Sequence, residues 1–186
     1  AAEVAIANET LHLDRKEGFA GYALKRGGDY EVIGKCSRMD DTITFRKNGT
    51  MVVQKVGEKV FVGVDPIHCV LFPKEDTTVY CMIYFDKKSG KTYGRKFQIG
   101  GVRREREYEL DEDITKSRIR FLQALEGPHT PPPTLWVRLK PQPRLRKDLI
   151  PFDFGNIEIK GRGSIGNIIA DKPIKAITKN RPPDAP

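Results

Sequence analysis

An all-β chain built from a repeated strand–turn–strand unit is what this sequence predicts, and three observations predict it. Apolar and polar residues alternate with a period of two, as in Thr42-Ile43-Thr44-Phe45. Short turns that contain glycine separate the alternating stretches. The turn glycines Gly18, Gly49, Gly90, Gly127 and Gly163 fall 31, 41, 37 and 36 residues apart, a spacing in the range of propeller-like arrays.

The first unit reads Leu11-His12-Leu13 as strand, Asp14-Arg15-Lys16-Glu17 as a polar turn, and Gly18-Phe19 as the return. In the second, Thr42 to Phe45 alternate, Arg46-Lys47-Asn48-Gly49 supply turn chemistry, and Met51-Val52-Val53 resume an extended pattern. The third runs Ile83-Tyr84-Phe85, Asp86-Lys87-Lys88-Ser89, Gly90-Lys91. A weaker fourth begins at Arg118-Ile119-Arg120-Phe121 and turns near Glu126-Gly127; residues 116–124 are the strongest helical candidate but read equally well as strand. Pro131-Pro132-Pro133 and the Pro141/Pro143 pair mark loops, between which Trp136-Val137-Arg138-Leu139 reads as an isolated strand. A fifth unit runs from Ile157 to Gly163. One small sheet cannot bury its face alone, whereas several packed radially share a core and hide their edges. The expectation is a single domain over residues 1–179, with blades near 1–34, 35–74, 75–115 and 116–179, and a frayed tail over 180–186.

Charge narrows the partner. Thirty-three Lys and Arg against twenty-five Asp and Glu give a formal charge of +8 and a pI near 9.4, which suits an anionic partner such as nucleic acid or an acidic membrane surface. The charge is uneven. From Pro131 to Arg181 there are eleven basic residues against four acidic, whereas Glu105 to Asp113 holds six acidic residues among nine and reads as a solvated connector. Cys36, Cys69 and Cys81 are odd in number and contain no CxxC pair, so they read as reduced thiols in a cytoplasmic protein. No apolar run approaches the roughly 20 residues that span a bilayer, and no signal peptide pattern opens the chain. Ala1 opens within an alternating stretch and not at a methionine, as the first residue of an excised fragment or of a processed or tagged chain would.

Basic residues recur at similar offsets after the turn glycines: Lys25 and Arg26 after Gly18, Lys55 after Gly49, Arg95 and Lys96 after Gly90. In a radial array such positions form a belt that can track phosphates irrespective of base sequence. The alternative is lysine placed at strand ends for solubility and edge protection. A denser group follows in Arg138, Lys140, Arg144, Arg146 and Lys147, and Lys160 and Arg162 flank glycines. The segment Lys160-Gly161-Arg162-Gly163-Ser164-Ile165-Gly166 is a basic, glycine-rich loop in which absent Cβ atoms let backbone N–H groups approach phosphates. It is not a P-loop, because GxxxxGK[ST] does not occur. An ordinary flexible hairpin is the plainer reading.

That loop resembles a degenerate form of the Gln-Arg-Arg-Gly-Gly-Lys-Gly-type box in the C-terminal domain of bacterial type IIA topoisomerase A subunits, those of gyrase and of topoisomerase IV. Gly18-Phe19-Ala20-Gly21-Tyr22, Asp40 to Phe45 with its Gly49 turn, and His68 to Phe72 extend the resemblance over roughly residues 1–179. It implies a β-pinwheel of about four propeller-like blades, with a ring that need not close. It also implies a non-catalytic domain that binds and bends duplex DNA on a basic perimeter and tunes relaxation, decatenation or supercoiling. The implied partners are a B subunit that carries the ATPase, together with the breakage–reunion region of the domain's own subunit. The domain itself would hold no cofactor or metal, while the parent enzyme would use ATP and Mg2+, and the location would be cytoplasmic, on the nucleoid. The glutamine and the arginine pair of the box are missing, which favours bending over chiral wrapping. None of the six tyrosines matches the cleavage tyrosine, which belongs to the N-terminal part of the family's longer chain.

Two other readings set bounds. Asp40-Asp41 and the acidic run would be the magnesium ligands of an enzyme, although Asp40-Asp41 suits a turn and His12, His68 and His129 are scattered. A propeller-like protein-interaction scaffold would rely on an exposed aromatic such as Trp136 instead of a basic belt.

Overall fold

The computed structural model describes residues 6–110, 117–127 and 129–186. Among these the chain is all-β apart from one 3-10 turn, Phe154–Asn156, and no helix is long and apolar enough to cross a membrane. Among the described residues the strands form four small sheets, and none rolls closed. The strands sort into two compact units. One takes the described residues up to Asp76 together with Gly101–Leu110; the other takes Thr77–Gly100 and the described residues from Ser117 onward.

In the first unit, β1 (Glu9–Asp14) lies between β3 (Glu31–Cys36) and β2 (Phe19–Gly21), and β6 (Val60–Phe61) adds to β2. The second sheet runs β10 (Glu107–Glu109), β5 (Thr50–Lys55), β4 (Asp41–Arg46), β7 (Pro66–Phe72). The period-two pattern of β4 and β5 produces the expected hairpin, with Ile43 opposite Val53 and Phe45 opposite Met51. Both faces are nevertheless buried: Thr42, Thr44, Thr50 and Gln54 are enclosed along with the apolar set. Their donors find partners internally, as burial requires. The Thr44 hydroxyl donates to Cys69 Sγ at 3.4 Å, and Gln54 Nε2 donates to the Phe61 carbonyl at 3.0 Å.

Residues 107–109 correct the reading of Glu105 to Asp113 as a connector. They are strand β10, antiparallel to β5, with Tyr108 opposite Met51. Charged side chains are tolerated there because an edge strand faces solvent. Ion pairs also accept them: Arg46 meets Glu107 at 2.6 Å, and Arg104 meets Asp41 at 2.9 Å. Residues 111–113 of the acidic run lie outside the described residues.

The second unit holds β8 (Val79–Asp86), β9 (Lys91–Gln98), β11 (Ser117–Leu125), β12 (Thr134–Leu139), β13 (Leu149–Asp153), β14 (Ile159–Gly161), β15 (Asn167–Ala170) and β16 (Ile174–Thr178). The order β11-β8-β9 is antiparallel. The outer edge of β9 is divided: β14 pairs parallel along Lys96 to Gln98, and β15 pairs antiparallel along Thr92 to Gly94. The remaining sheet is β13-β12-β16. Leu135, Val137 and Leu139 of β12 meet Cys81, Ile83, Leu125, Phe154 and Ile174 in one core cluster. Phe152 and Phe154 meet edge to face at 5.0 Å, and a Cβ on Gly94 would lie 2.4 Å from the Phe152 ring.

Three of the five repeats are genuine hairpins. At Gly18 and Gly90 the turns are alike: each glycine N–H donates to an aspartate carbonyl four residues back, Asp14 or Asp86, at 2.8 Å. The aspartate carboxylate also caps an amide within each turn, that of Glu17 at 3.1 Å and that of Lys88 at 3.0 Å. Positive φ at Gly18 (80°), Gly49 (91°) and Gly90 (71°) explains the residue choice. The other two repeats are not hairpins. Gly127 has φ 82° and ends β11, but β12 pairs with β13 and β16 instead. Gly163 joins two strands that lie end to end on β9 and do not pair with each other. Residues 117–125 are strand, not helix. Trp136 lies on a central strand, not an isolated one, because β13 and β16 flank β12.

Candidate nucleic-acid interface

The glycine-rich loop is shaped by the divided edge of β9. The chain runs along β9 as β14, then must return past Arg95 to begin β15 beside Gly94. Each cation of the segment is tied to its own surroundings: Lys160 Nζ donates to the Ile165 carbonyl and to Asn167 Oδ1, both at 3.3 Å, and Arg162 donates to the Ile99 carbonyl at 2.7 Å. Both are half-buried. Two loop amides are also engaged, Ser164 N–H with the Gly161 carbonyl at 3.2 Å and Gly166 N–H with the Tyr84 hydroxyl at 3.3 Å.

The box glycines therefore differ in purpose. A Cβ on Gly166 would stand 2.9 Å from the Gly94 carbonyl oxygen, so this glycine permits close packing on β9. Gly161 has only Ser164 Oγ nearby, at 3.8 Å, and Gly163 sits exposed with nothing within 4 Å. Around Gly163 the backbone is exposed to solvent. Ile165 is 67 % exposed beside it.

Arg95 and Lys96 are corrections to the expected belt. Arg95 is 1 % exposed, with its guanidinium 4.7 Å from the Phe97 ring centroid and 5.8 Å from that of Tyr84, and it donates to the Ser164 carbonyl. It supports the loop from beneath. Lys96 is 8 % exposed and donates to the Phe154 carbonyl at 2.9 Å. The offset that placed Lys25 and Lys55 outside does not place these two outside, because β14 and β15 cover the β9 edge.

The segment from Arg138 to Lys147 folds back on itself. The Leu139 N–H donates to the Asp148 carbonyl at 2.7 Å, and Leu145 N–H donates to the Gln142 carbonyl at 3.1 Å. A closed loop results, anchored by Leu145 against the unit's core. Lys140, Arg144, Arg146 and Lys147 are all exposed on it. Among the described residues none of the four meets a carboxylate. Arg144 holds φ 67°, a left-handed conformation unusual for arginine.

Arg138, at the root of this loop, is engaged. It pairs with Asp148 at 3.1 Å and with both carboxylate oxygens of Asp184 at 2.7 Å. The hydrogen bond from Arg138 holds the Asp184 carboxyl below its ordinary value of 3.8, and the same bond raises Arg138 further. Arg181 lies over the half-buried Trp136, 5.8 Å from its centroid, so that ring is not a bare surface aromatic.

In the first unit, Lys25, Arg26 and Lys55 are exposed. The segments that carry them are joined by backbone bonds, Tyr22 N–H to the Gly57 carbonyl at 3.2 Å and Ala23 N–H to the Glu58 carbonyl at 3.0 Å. Lys59 belongs to this group and sequence reasoning missed it; its ammonium sits 4.4 Å from the Phe19 ring centroid. The only sequence signal was Lys59's nearness to Lys55, because the docking that unites them is long-range.

Other chemistry finds no constellation. Among the described residues no three His, Cys, Asp or Glu side chains gather as metal ligands do. Asp40 accepts from Ser37 N–H at 2.9 Å, in the turn role expected of it. His68 packs 5.8 Å from Phe45, and burial lowers its pKa. All three cysteines are buried thiols, and burial pushes Cys81 up to about 11.

Three comparisons bear on identity. A family model described as the topoisomerase C-terminal domain of Bacteroidota matches residues 10–181. The A subunit of DNA topoisomerase 4 from Borreliella burgdorferi is 27 % identical over 110 residues, 58 % of this chain and 17 % of that protein. A crystal structure of the C-terminal domain of DNA topoisomerase IV superposes with a TM-score of 0.46 at 14 % identity, covering 96 % of this chain and 63 % of the other. The curated relative is thus matched over about a sixth of its length. With the family model spanning nearly every described strand, the chain belongs to the topoisomerase C-terminal domain family of the Bacteroidota.

Proposed function

We propose that this domain binds duplex DNA through its phosphate backbone and bends or guides it for the topoisomerase of which it is the C-terminal, non-catalytic part. The observation that carries the reading is the closed loop from Lys140 to Lys147, whose four exposed cations have no carboxylate partner among the described residues. Elsewhere in the same unit Arg138 is matched by acids, so this loop is where positive charge is left for an outside anion. Lys25, Arg26, Lys55 and Lys59 give the first unit a second basic surface. Lys160 and Arg162 act chiefly by holding the loop around Gly163 in shape, so that its backbone can approach phosphate. Bending is favoured over chiral wrapping.

In the parent enzyme the partners are the B subunit with its ATPase, together with the breakage–reunion region of the domain's own subunit. ATP and Mg2+ serve those parts, and the assembly works in the cytoplasm on the nucleoid. The scaffold alternative loses support, since Trp136 is covered by Arg181.

The test is duplex affinity across salt and sequence. The expected result is a linear fall of log K with log salt, about 0.9 per phosphate contacted, with little sequence preference. In a bending assay, Lys160→Gln with Arg162→Gln reduces the bend more than Lys87→Gln with Lys88→Gln at the β8–β9 turn. Salt-insensitive or absent binding overturns the reading, and equal bending effects remove the special status of the Gly163 loop.

A further inference from the structure

The second unit contains a cavity of about 520 Å³ that the DNA reading does not use. Every described residue of its wall belongs to that unit. The volume is in the range of small-molecule sites, roughly 300–1,000 Å³. Val79, Leu125, Pro132 and Ile159 give the wall an apolar side, and Lys96 and Gln98 from β9 give it a polar one.

Lys96 is the unusual component. It is more than nine-tenths buried and lines the cavity, and the Phe154 carbonyl at 2.9 Å accepts from one of its three N–H groups. Among the described residues no carboxylate lies within ion-pair distance. Cys81, opposite Lys96 across the β8–β9 pair, is no substitute, because its thiol stays protonated at neutral pH. Gln98 is already engaged, its Nε2 donating to the Thr77 carbonyl at 3.1 Å. A buried ammonium without a counter-charge is costly. An anion in the cavity would remove that cost, and the two remaining N–H groups suit a single monoanionic head better than a phosphate dianion. The apolar side of the wall calls for a hydrophobic body behind that head.

We propose that the cavity binds a small hydrophobic carboxylate, its head paired with Lys96 and its body lying against Val79, Leu125, Pro132 and Ile159. This site stands independently of the DNA surface, whose exposed cations are other residues.

The test titrates the 186-residue chain with 2-naphthoate, its neutral analogue 2-naphthamide, and inorganic phosphate, following amide NMR shifts. The expected result is saturable naphthoate binding, with shifts centred on Val79, Leu125 and Thr130 and affinity at least tenfold above that for naphthamide or phosphate. Lys96→Met should reduce naphthoate affinity at least tenfold and abolish its advantage over naphthamide. Ile159→Trp, which adds bulk to the apolar side of the wall and leaves the Lys96 charge in place, should weaken both aromatic probes, and this variant decides the matter if Lys96→Met does not fold. Absence of saturable naphthoate binding overturns the proposal. So do equal affinities for naphthoate and naphthamide, or shifts centred on the Arg144 to Lys147 loop.

Discussion

Removing three of the four cations of the 140–147 loop without disturbing its backbone gives a quantitative test of where DNA is held. Arg144 has φ 67°, so Arg144→Asn is the suitable change, since asparagine tolerates the left-handed region. Arg146→Gln and Lys147→Gln complete a triple variant at exposed positions. The loop should keep its shape, because its base is closed by Leu139 N–H to the Asp148 carbonyl and its interior is anchored by Leu145. If each cation neutralises one phosphate, the salt slope falls by about 0.9 per contact, or about 2.7 for the three, and affinity at 0.1 M salt falls by up to roughly 500-fold. Fluorescence anisotropy on a duplex of about 40 base pairs, repeated from 50 to 200 mM salt, measures both quantities. A slope unchanged to within about half a unit, with the fold intact by circular dichroism, would refute the assignment of this loop as a phosphate-binding surface.

Three further outcomes follow from the geometry. Gly90→Ala meets no neighbour and should cost about 1–2 kcal/mol for its left-handed backbone alone, whereas Gly18→Ala places a Cβ 2.2 Å from the Gly63 carbonyl oxygen and should cost about 1–3 kcal/mol more, as chemical denaturation can establish. Leu135→Ala, at a fully enclosed site in the second unit's core, should destabilise by about 2–5 kcal/mol, with thermal unfolding as the measurement. The Asp184 carboxyl titrates below its ordinary 3.8 because Arg138 stabilises the charged form. Its pairing with Arg138 is therefore complete above that value and is lost as pH falls below it. Acid titration of Trp136 fluorescence should show this release, Asp184→Asn should show it already at neutral pH, and an Asp184→Asn protein indistinguishable from the parent would contradict it.

The parts of this fold that were legible in the sequence are those set by local chemistry. Asp14 and Asp86 each cap a turn that ends in a left-handed glycine, and both turns were readable from a dozen residues. Alternation likewise gave β4 and β5. What alternation could not give was the burial of their second face, since Thr42, Thr44 and Gln54 look like solvent-facing residues until internal hydrogen bonds account for them. Gly127 and Gly163 carried the same turn signal as the first three glycines but lead to strands paired elsewhere, because a tight turn does not specify which edge the next strand joins. The candidate site divided along the same line. Arg144, Arg146 and Lys147 are exposed because a proline-punctuated loop keeps them out of any ladder. Arg95 and Lys96 obeyed the same spacing rule as Lys55, yet lie inside because strands more than sixty residues later cover them.

That late covering has a consequence for how the chain is made and cut. Ile159 pairs with Lys96 and Ala170 with Thr92, so a nascent chain must release everything through Ala170 before β9 is fully paired. Until then β9 presents an unprotected edge, the kind of surface through which incomplete chains associate with one another. A truncation placed anywhere between Gln98 and Ile159 should therefore yield insoluble material, however well the β8–β9 hairpin forms. Trimming from the C-terminal side should be tolerated only as far as the strands that complete these sheets, ending with Thr178 of β16.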